Sequence, residues 1–113
     1  MAYKVYLLES AEQFISDLED KLKAKSFRTI ELLRDFGPEL REPFSKKISG
    51  YDSLFELRVK QSSNICRFFY FFEKDRIIII TSGYVKKDNK TSKDQLEKAS
   101  KLMHSYRENK KWN

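Results

Sequence analysis

Residues 54–87, LFELRVKQSSNICRFFYFFEKDRIIIITSGYVKK, hold the reading on which the fold turns. Three runs rich in aromatic and β-branched side chains stand out: Leu54 to Lys60, Ile65 to Phe72 and Arg76 to Lys86. Such residues favour a pleated, half-buried surface. The connections between them, Gln61-Ser62-Ser63-Asn64 and Glu73-Lys74-Asp75, are short and polar, which predicts an antiparallel meander.

Register then sorts the side chains. Gln61 opposite Asn64 sets Arg58 across from Arg67. Glu73 opposite Arg76 sets Arg67 across from Ser82 and Ile65 across from Tyr84. Strand alternation gathers Glu56, Arg58, Arg67, Ser82, Tyr84 and Lys86 on one face. The other face carries Phe55, Leu57, Val59, Cys66, Phe68, Tyr70, Phe72, Ile77 and Ile79, a core for helices to cover. Two arginines directly opposite each other repel unless an anion lies between them. Glu56 is one such anion, giving a surface ion-pair cluster; an RNA phosphate is the other. Tyr84 reads equally as a ring for an unpaired base and as an amphipathic side chain at a strand end.

Upstream, Tyr3 to Leu8 alternates as a first strand. Ser10 with Gln13 reads as a capping box opening a helix with Phe14, Leu18 and Leu22 on one stripe. The stripe loosens over Lys23 to Ser26 and resumes at Phe27, Ile30, Leu33 and Phe36, which predicts two helices in a hairpin. Gly37-Pro38 ends the second, because glycine permits the left-handed C-terminal turn and proline cannot continue the helix. Lys46-Lys47-Ile48 predicts a short edge strand after Pro43, and Gly50-Tyr51-Asp52 a turn. Downstream, Thr91 with Asp94 marks a last helix whose stripe is Leu96, Ala99, Met103 and Tyr106. The expected architecture is α+β: an N-terminal strand and helix hairpin packed on a mainly antiparallel sheet, with a C-terminal helix, in one domain spanning 1–113.

Composition narrows the function. Twenty-three Lys and Arg against seventeen Asp and Glu leave a formal charge of +6, which suits an acidic partner or simply a solvated surface. The apolar runs Phe68 to Phe72 and Ile77 to Ile80 are too short to span a membrane. The chain enters a strand almost at once, so no signal peptide is expected. A single cysteine, Cys66, admits no internal disulfide and fits a reducing cytoplasm. Three glycines, one cysteine and one histidine provide neither a phosphate-cradling loop nor a zinc site, so no metal or cofactor is expected.

The order of elements, with Lys47-Ile48 before a turn, Leu54-Phe55-Glu56-Leu57-Arg58-Val59, Arg67-Phe68-Phe69-Tyr70, Gly83-Tyr84-Val85-Lys86-Lys87, Lys90-Thr91-Ser92 and Leu96 to Ala99, resembles the RelE/ParE superfamily of toxin–antitoxin toxins. Within it, the chain looks like the HigB-type, phage-related branch. The resemblance runs from Tyr3 to about Tyr106. It implies a RelE-like fold and a metal-independent endoribonuclease that cuts mRNA in the ribosomal A site. The partners it implies are the ribosome, mRNA and a cognate antitoxin, expected as a small helix-turn-helix protein encoded alongside. Its chemistry is attack of a ribose 2′-hydroxyl on the adjacent phosphate. Carried over by position, Arg58 and Arg67 hold the phosphate, Lys86 or Lys87 adds cationic or acid help, and Glu56 stands as the general base. Lys46, Lys47, Tyr84 and Lys90 are the expected RNA-binding residues. The branch often has histidine where this chain has Ser82, phenylalanine at Tyr84 and proline at Ser92, while His104 falls on a helix surface. Without a histidine in the site, no group titrates near neutrality. Two alternatives stay open: a ParE-like inhibitor of DNA gyrase, and a catalytically inactive RNA-binding domain of the same fold.

Overall fold

The computed structural model describes residues 2–86 and 91–111. Its elements are β1 (Lys4–Leu7), α1 (Glu9–Ser16), α2 (Asp20–Phe36), a 3-10 turn (Gly37–Glu39), β2 (Ser45–Lys47), β3 (Phe55–Gln61), β4 (Asn64–Glu73), β5 (Ile77–Lys86) and α3 (Lys93–Lys111). The strands form one five-stranded sheet in the order β1-β5-β4-β3-β2. β1 runs parallel to β5, and the other pairs are antiparallel. The α+β class and the arrangement of its parts agree with the sequence reading.

Each helix of the N-terminal pair starts where its backbone is released from other duties. Leu8 donates its N–H to the Ile80 carbonyl at 2.9 Å, extending the pairing of β1, while its own carbonyl accepts from Ala11 and Glu12. The helix therefore opens at Glu9, and Leu8 rather than Ser10 is the cap residue, with no side-chain cap bond. Glu9 and Glu12 in the first turn complement the positive helix end. The break between α1 and α2 falls at residues 17–19, upstream of the expected Lys23 to Ser26. Ser26 explains the discrepancy: it is fully buried, with its hydroxyl 3.6 Å from Cys66 Sγ. A small polar residue on the buried stripe interrupts the apolar pattern without interrupting the helix. Gly37 ends α2 at φ 53, and a Cβ there would run into the Tyr3 ring.

The sheet is covered on both faces. On one, Ala11, Ile15, Leu22, Ile30 and Leu33 of the helix pair meet Leu57, Val59, Cys66, Phe68, Tyr70, Ile78 and Ile80. On the other, Ala99 and Met103 of α3 meet Ile48, Leu54, Phe69, Phe71 and Ile79, with Leu96 and Tyr106 alongside. The β3–β4 register is the expected one, with Gln61 opposite Asn64 and Arg58 opposite Arg67.

The β4–β5 register differs. Glu73 lies opposite Ile77, Arg67 opposite Tyr84 and Ile65 opposite Lys86. Two features cause this. The hairpin turn is one residue longer than expected, with Asp75 and Arg76 both at positive φ, and an irregularity between Phe69 and Tyr70 leaves Thr81 without an opposite residue. The Thr81 hydroxyl instead donates to the Phe69 carbonyl at 3.3 Å. This bulge reverses alternation along β5, so Ile78 and Ile80 join the helix-pair core, while Ile77 and Ile79 face α3. Glu56, Arg58, Arg67, Ser82, Tyr84 and Lys86 still share one face. That face is not wholly cationic, because α3 makes half of it a second core.

Candidate anion-binding site

The site is assembled by three central strands and the entrance to α3. Glu56 and Arg58 come from β3, Arg67 from the middle of β4, and Tyr84 and Lys86 from the end of β5. Position 91 follows in the segment leading into α3. Glu56 is 1% exposed and lies between the two arginines that alternation places beside it. Its Oε1 accepts from Arg58 Nε at 3.2 Å and pairs with Arg67 Nη1. Its Oε2 accepts from Thr91 Oγ1 at 2.9 Å, and that hydroxyl in turn accepts from Arg67 Nη1 at 2.7 Å. A carboxylate buried this deeply is stable only when paired and fully bonded, and Glu56 meets both conditions.

The charges do not cancel. One carboxylate faces two guanidiniums, and Lys86 adds a third cation diagonal to Arg67 on the same face. Arg67 is 7% exposed and Lys86 8%, yet Arg67 Nε and Lys86 Nζ have no hydrogen-bond partner among the described residues. Buried donors in native proteins are nearly always bonded, so two such nitrogens on diagonal positions of adjacent strands are exceptional. With Arg58 more open than Arg67 at the cluster's rim, the three cations form a graded surface that suits a multiply charged oxyanion.

The remaining expected residues fall as follows. Lys46 is exposed on β2 directly opposite Glu56, so it lies on the site face; Lys47, opposite Phe55, lies on the other. Tyr84 is engaged: its ring stacks on Phe69 with centroids 5.9 Å apart, and its hydroxyl accepts the Ser92 N–H at 3.1 Å. Lys87 and Lys90 lie outside the described residues. His104 is exposed on α3. The α3 cap is Ser92, whose hydroxyl accepts the Gln95 N–H at 3.4 Å, so the expected capping role of Thr91 belongs to its neighbour. Thr91 instead joins the ion cluster, a role that nothing in the local sequence announces.

Two groups with displaced proton affinities lie on the opposite face. Burial pushes the Cys66 thiol up to about 11 despite a hydrogen bond to Ser26, and the Tyr70 hydroxyl up to about 12 despite one to Ser45. Both are held neutral at pH 7, away from the site. Among the described residues no group of three or more His, Cys, Asp or Glu side chains could hold a metal ion, and no helix is long and apolar enough to cross a membrane.

Comparison with known proteins adds the following. The sequence family described as "Phage derived protein Gp49-like (DUF891)" matches residues 13–104. Comparison with curated protein sequences finds no match. Among solved structures, a double mutant of the E. coli toxin RelE in the free state superposes with a TM-score of 0.66 at 18% identity, covering 89% of this chain and 97% of that one. The RelE–RelB complex of Pyrococcus horikoshii gives 0.54 at 20% identity, covering 80% of this chain and all of the matched one. The RelBE2 toxin–antitoxin complex of Mycobacterium tuberculosis gives 0.50 at 18% identity, over 76% of this chain and 100% of that chain.

Proposed function

From the premise that this chain belongs to the phage-derived Gp49-like family and has the RelE fold, we propose that it is the toxin of a toxin–antitoxin system, acting as a ribosome-dependent mRNA endoribonuclease. The observation that carries this reading is a pair of buried nitrogens, Arg67 Nε and Lys86 Nζ, without a hydrogen-bond partner among the described residues, beside Arg58 on one sheet face. Attack of a ribose 2′-hydroxyl on the neighbouring phosphate passes through a phosphorane with added negative charge on its oxygens. The P–O5′ bond then breaks, leaving a 2′,3′-cyclic phosphate and a 5′-hydroxyl, with the 2′-hydroxyl proton released to water and the leaving oxygen protonated from it. Donors fixed before the reaction stabilise that charge without reorganising. Arg67 and Lys86 are held by burial and strand position, and the more open Arg58 meets the incoming backbone.

Glu56 has a different part in this proposal from that of general base. Both its oxygens are engaged, so it fixes the two arginines and Thr91 rather than collecting a proton from RNA. Tyr84 likewise braces α3 against the sheet. With Glu56 so engaged, in-line positioning by the ribosome supplies much of the rate in this mechanism. Lys46 at the open rim is proposed to hold the RNA backbone; Lys87 and Lys90, which lie outside the described residues, are proposed by sequence position to add to it. The proposed neutralising partner is a small helix-turn-helix antitoxin, and the proposed place of action is the cytoplasm, where ribosomes are found.

Two measurements test this. Inducing the chain alone in a bacterium should collapse amino-acid incorporation before DNA synthesis; DNA synthesis failing first, with DNA breaks, would establish the gyrase-inhibitor reading instead. Purified protein should cut ribosome-bound mRNA at the A-site codon with EDTA present and leave naked mRNA largely intact. Binding to programmed ribosomes without any cut would assign the chain to the inactive RNA-binding class.

A further inference from the structure

Beside the ion cluster, the outer edge of β3 is open. β2 pairs with β3 only as far as Ser45 opposite Leu57. Beyond that point one bond holds the preceding chain to the strand, from the Arg58 N–H to the Phe44 carbonyl at 2.8 Å. A pocket of about 320 Å³ lies there, lined by Lys25 of α2, Pro43 and Phe44 of the connecting loop, Arg58 and Lys60 of β3, and Arg67 of β4. No acidic residue lines it. Four basic residues therefore border a largely apolar volume at the small end of ligand sites, two of them, Arg58 and Arg67, also paired with Glu56.

Phe44 gives the pocket a second character. It is 40% exposed and makes no ring contact among the described residues, although most large aromatics of this sheet are stacked or edge-packed on one another. A ring this exposed leaves part of its surface free for a ligand, and the basic residues beside it repel one another without an anion. A ligand that satisfies both features is flat and apolar at one end and negatively charged at the other. One nucleotide of a single-stranded chain has that form.

We propose that this pocket is an RNA subsite holding the nucleotide next to the phosphate under attack, with its base on Phe44 and its phosphate on Lys60 and Arg58. The assignment rests on the endoribonuclease reading, since Arg58 and Arg67 are shared between pocket and ion cluster and so place the two nucleotides in sequence. Lys25 closes the far side from α2. Phe44 then contributes to base preference, because stacking strength differs among bases.

The test is a binding cycle on the full chain with a labelled five-nucleotide single-stranded RNA and a twin carrying one abasic position. Phe44→Ala should weaken binding of the intact RNA by about tenfold, the effect of losing one stacked base. The same substitution should leave the abasic twin's affinity nearly unchanged. Phe44→Leu, which keeps apolar bulk without a flat face, should behave like Phe44→Ala and guards against a folding artefact. Lys60→Ala should lower the salt dependence by about 0.7 in log–log slope, one single-strand phosphate contact, while Lys101→Ala on α3 leaves it alone. Wild-type affinity and slope in both Phe44 and Lys60 variants would overturn the subsite, and wild-type growth arrest would then leave the toxin reading standing. Variants that bind RNA normally but fail to be neutralised by the antitoxin would overturn it too, assigning the pocket to a protein partner. A wild-type chain that arrests no growth sinks the toxin reading itself, and the binding cycle still decides whether the pocket takes RNA.

Discussion

On one face of β4, Cys66, Phe68 and Tyr70 are sealed beneath α1 and α2; on the other, Arg67 shares the surface with Phe69 and Phe71, which pack in the α3 core. Cys66 and Arg67 are adjacent in the chain and nearly equally buried. The first face keeps its ionisable groups neutral, pushing the thiol and the phenol upward. The second gives its ionisable groups partners instead: Glu56 pairs with both arginines, and the Thr91 hydroxyl bridges Glu56 and Arg67. Similar burial is thus met in two ways, by neutral groups on one face and by ion pairing on the other. The face with the ion cluster is the one with buried donors lacking partners among the described residues, the property that the proposed phosphate site requires.

The largest effect should come from removing the counter-charge. Glu56→Ala leaves Arg67 buried without its carboxylate and should lower stability by about 3–5 kcal/mol, read from urea unfolding. A loss under 1 kcal/mol would mean that the charged face does not depend on pairing, and the contrast between the faces would dissolve. Next, Arg67→Ala removes a donor that the proposed mechanism directs at developing charge. Cleavage of ribosome-bound mRNA should fall by ~10²–10³ in protein shown to be folded by circular dichroism. Undiminished cleavage would take Arg67 out of the chemistry.

The neutral face has its own signature, in alkali. The folded state holds the Cys66 proton up to about 11, against an ordinary 9.0, so its contribution is complete below about pH 9 and fades between pH 9 and 11. The wild type should lose about 2–3 kcal/mol across that window relative to Cys66→Ala. The difference isolates the thiol from Tyr70, whose own loss begins a unit higher. Parallel pH profiles for the two proteins would show that burial does not hold the thiol neutral. The smallest effect belongs to the seam between the α3 core and the ion cluster. Tyr84→Phe removes the acceptor for the Ser92 N–H and should cost about 1 kcal/mol in thermal or urea unfolding, since that amide can turn partly to water.

Much of this was legible in the residues. The β3–β4 register follows from polar Ser62-Ser63 between two alternating runs, which is why Arg58 was correctly set against Arg67. The β5 register was not legible. Ile77 to Ile80 is a run of four isoleucines, and a strand covered on both faces carries no alternation to show which residue points where. The bulge at Thr81 and the longer turn therefore left no trace in composition. Within the site, Glu56 between two arginines was foreseeable from pairing alone. Its third partner, Thr91, was not, because the contact joins residues 35 apart and threonine before a helix looks like a cap. The pocket beside Phe44 was equally hidden, since it unites α2, a loop and two strands.

The parallel pairing of β1 with β5 sets a timetable for the growing chain. Lys4 meets Ile77, so the first strand has no strand to join until residue 77 has been made. The β3–β4–β5 meander zips locally, but the ion cluster also needs Thr91, which emerges later still. A nascent chain paused between Arg67 and Thr91 has its arginines but not the full frame that fixes them. The finished arrangement comes into being only once Thr91 has joined Glu56.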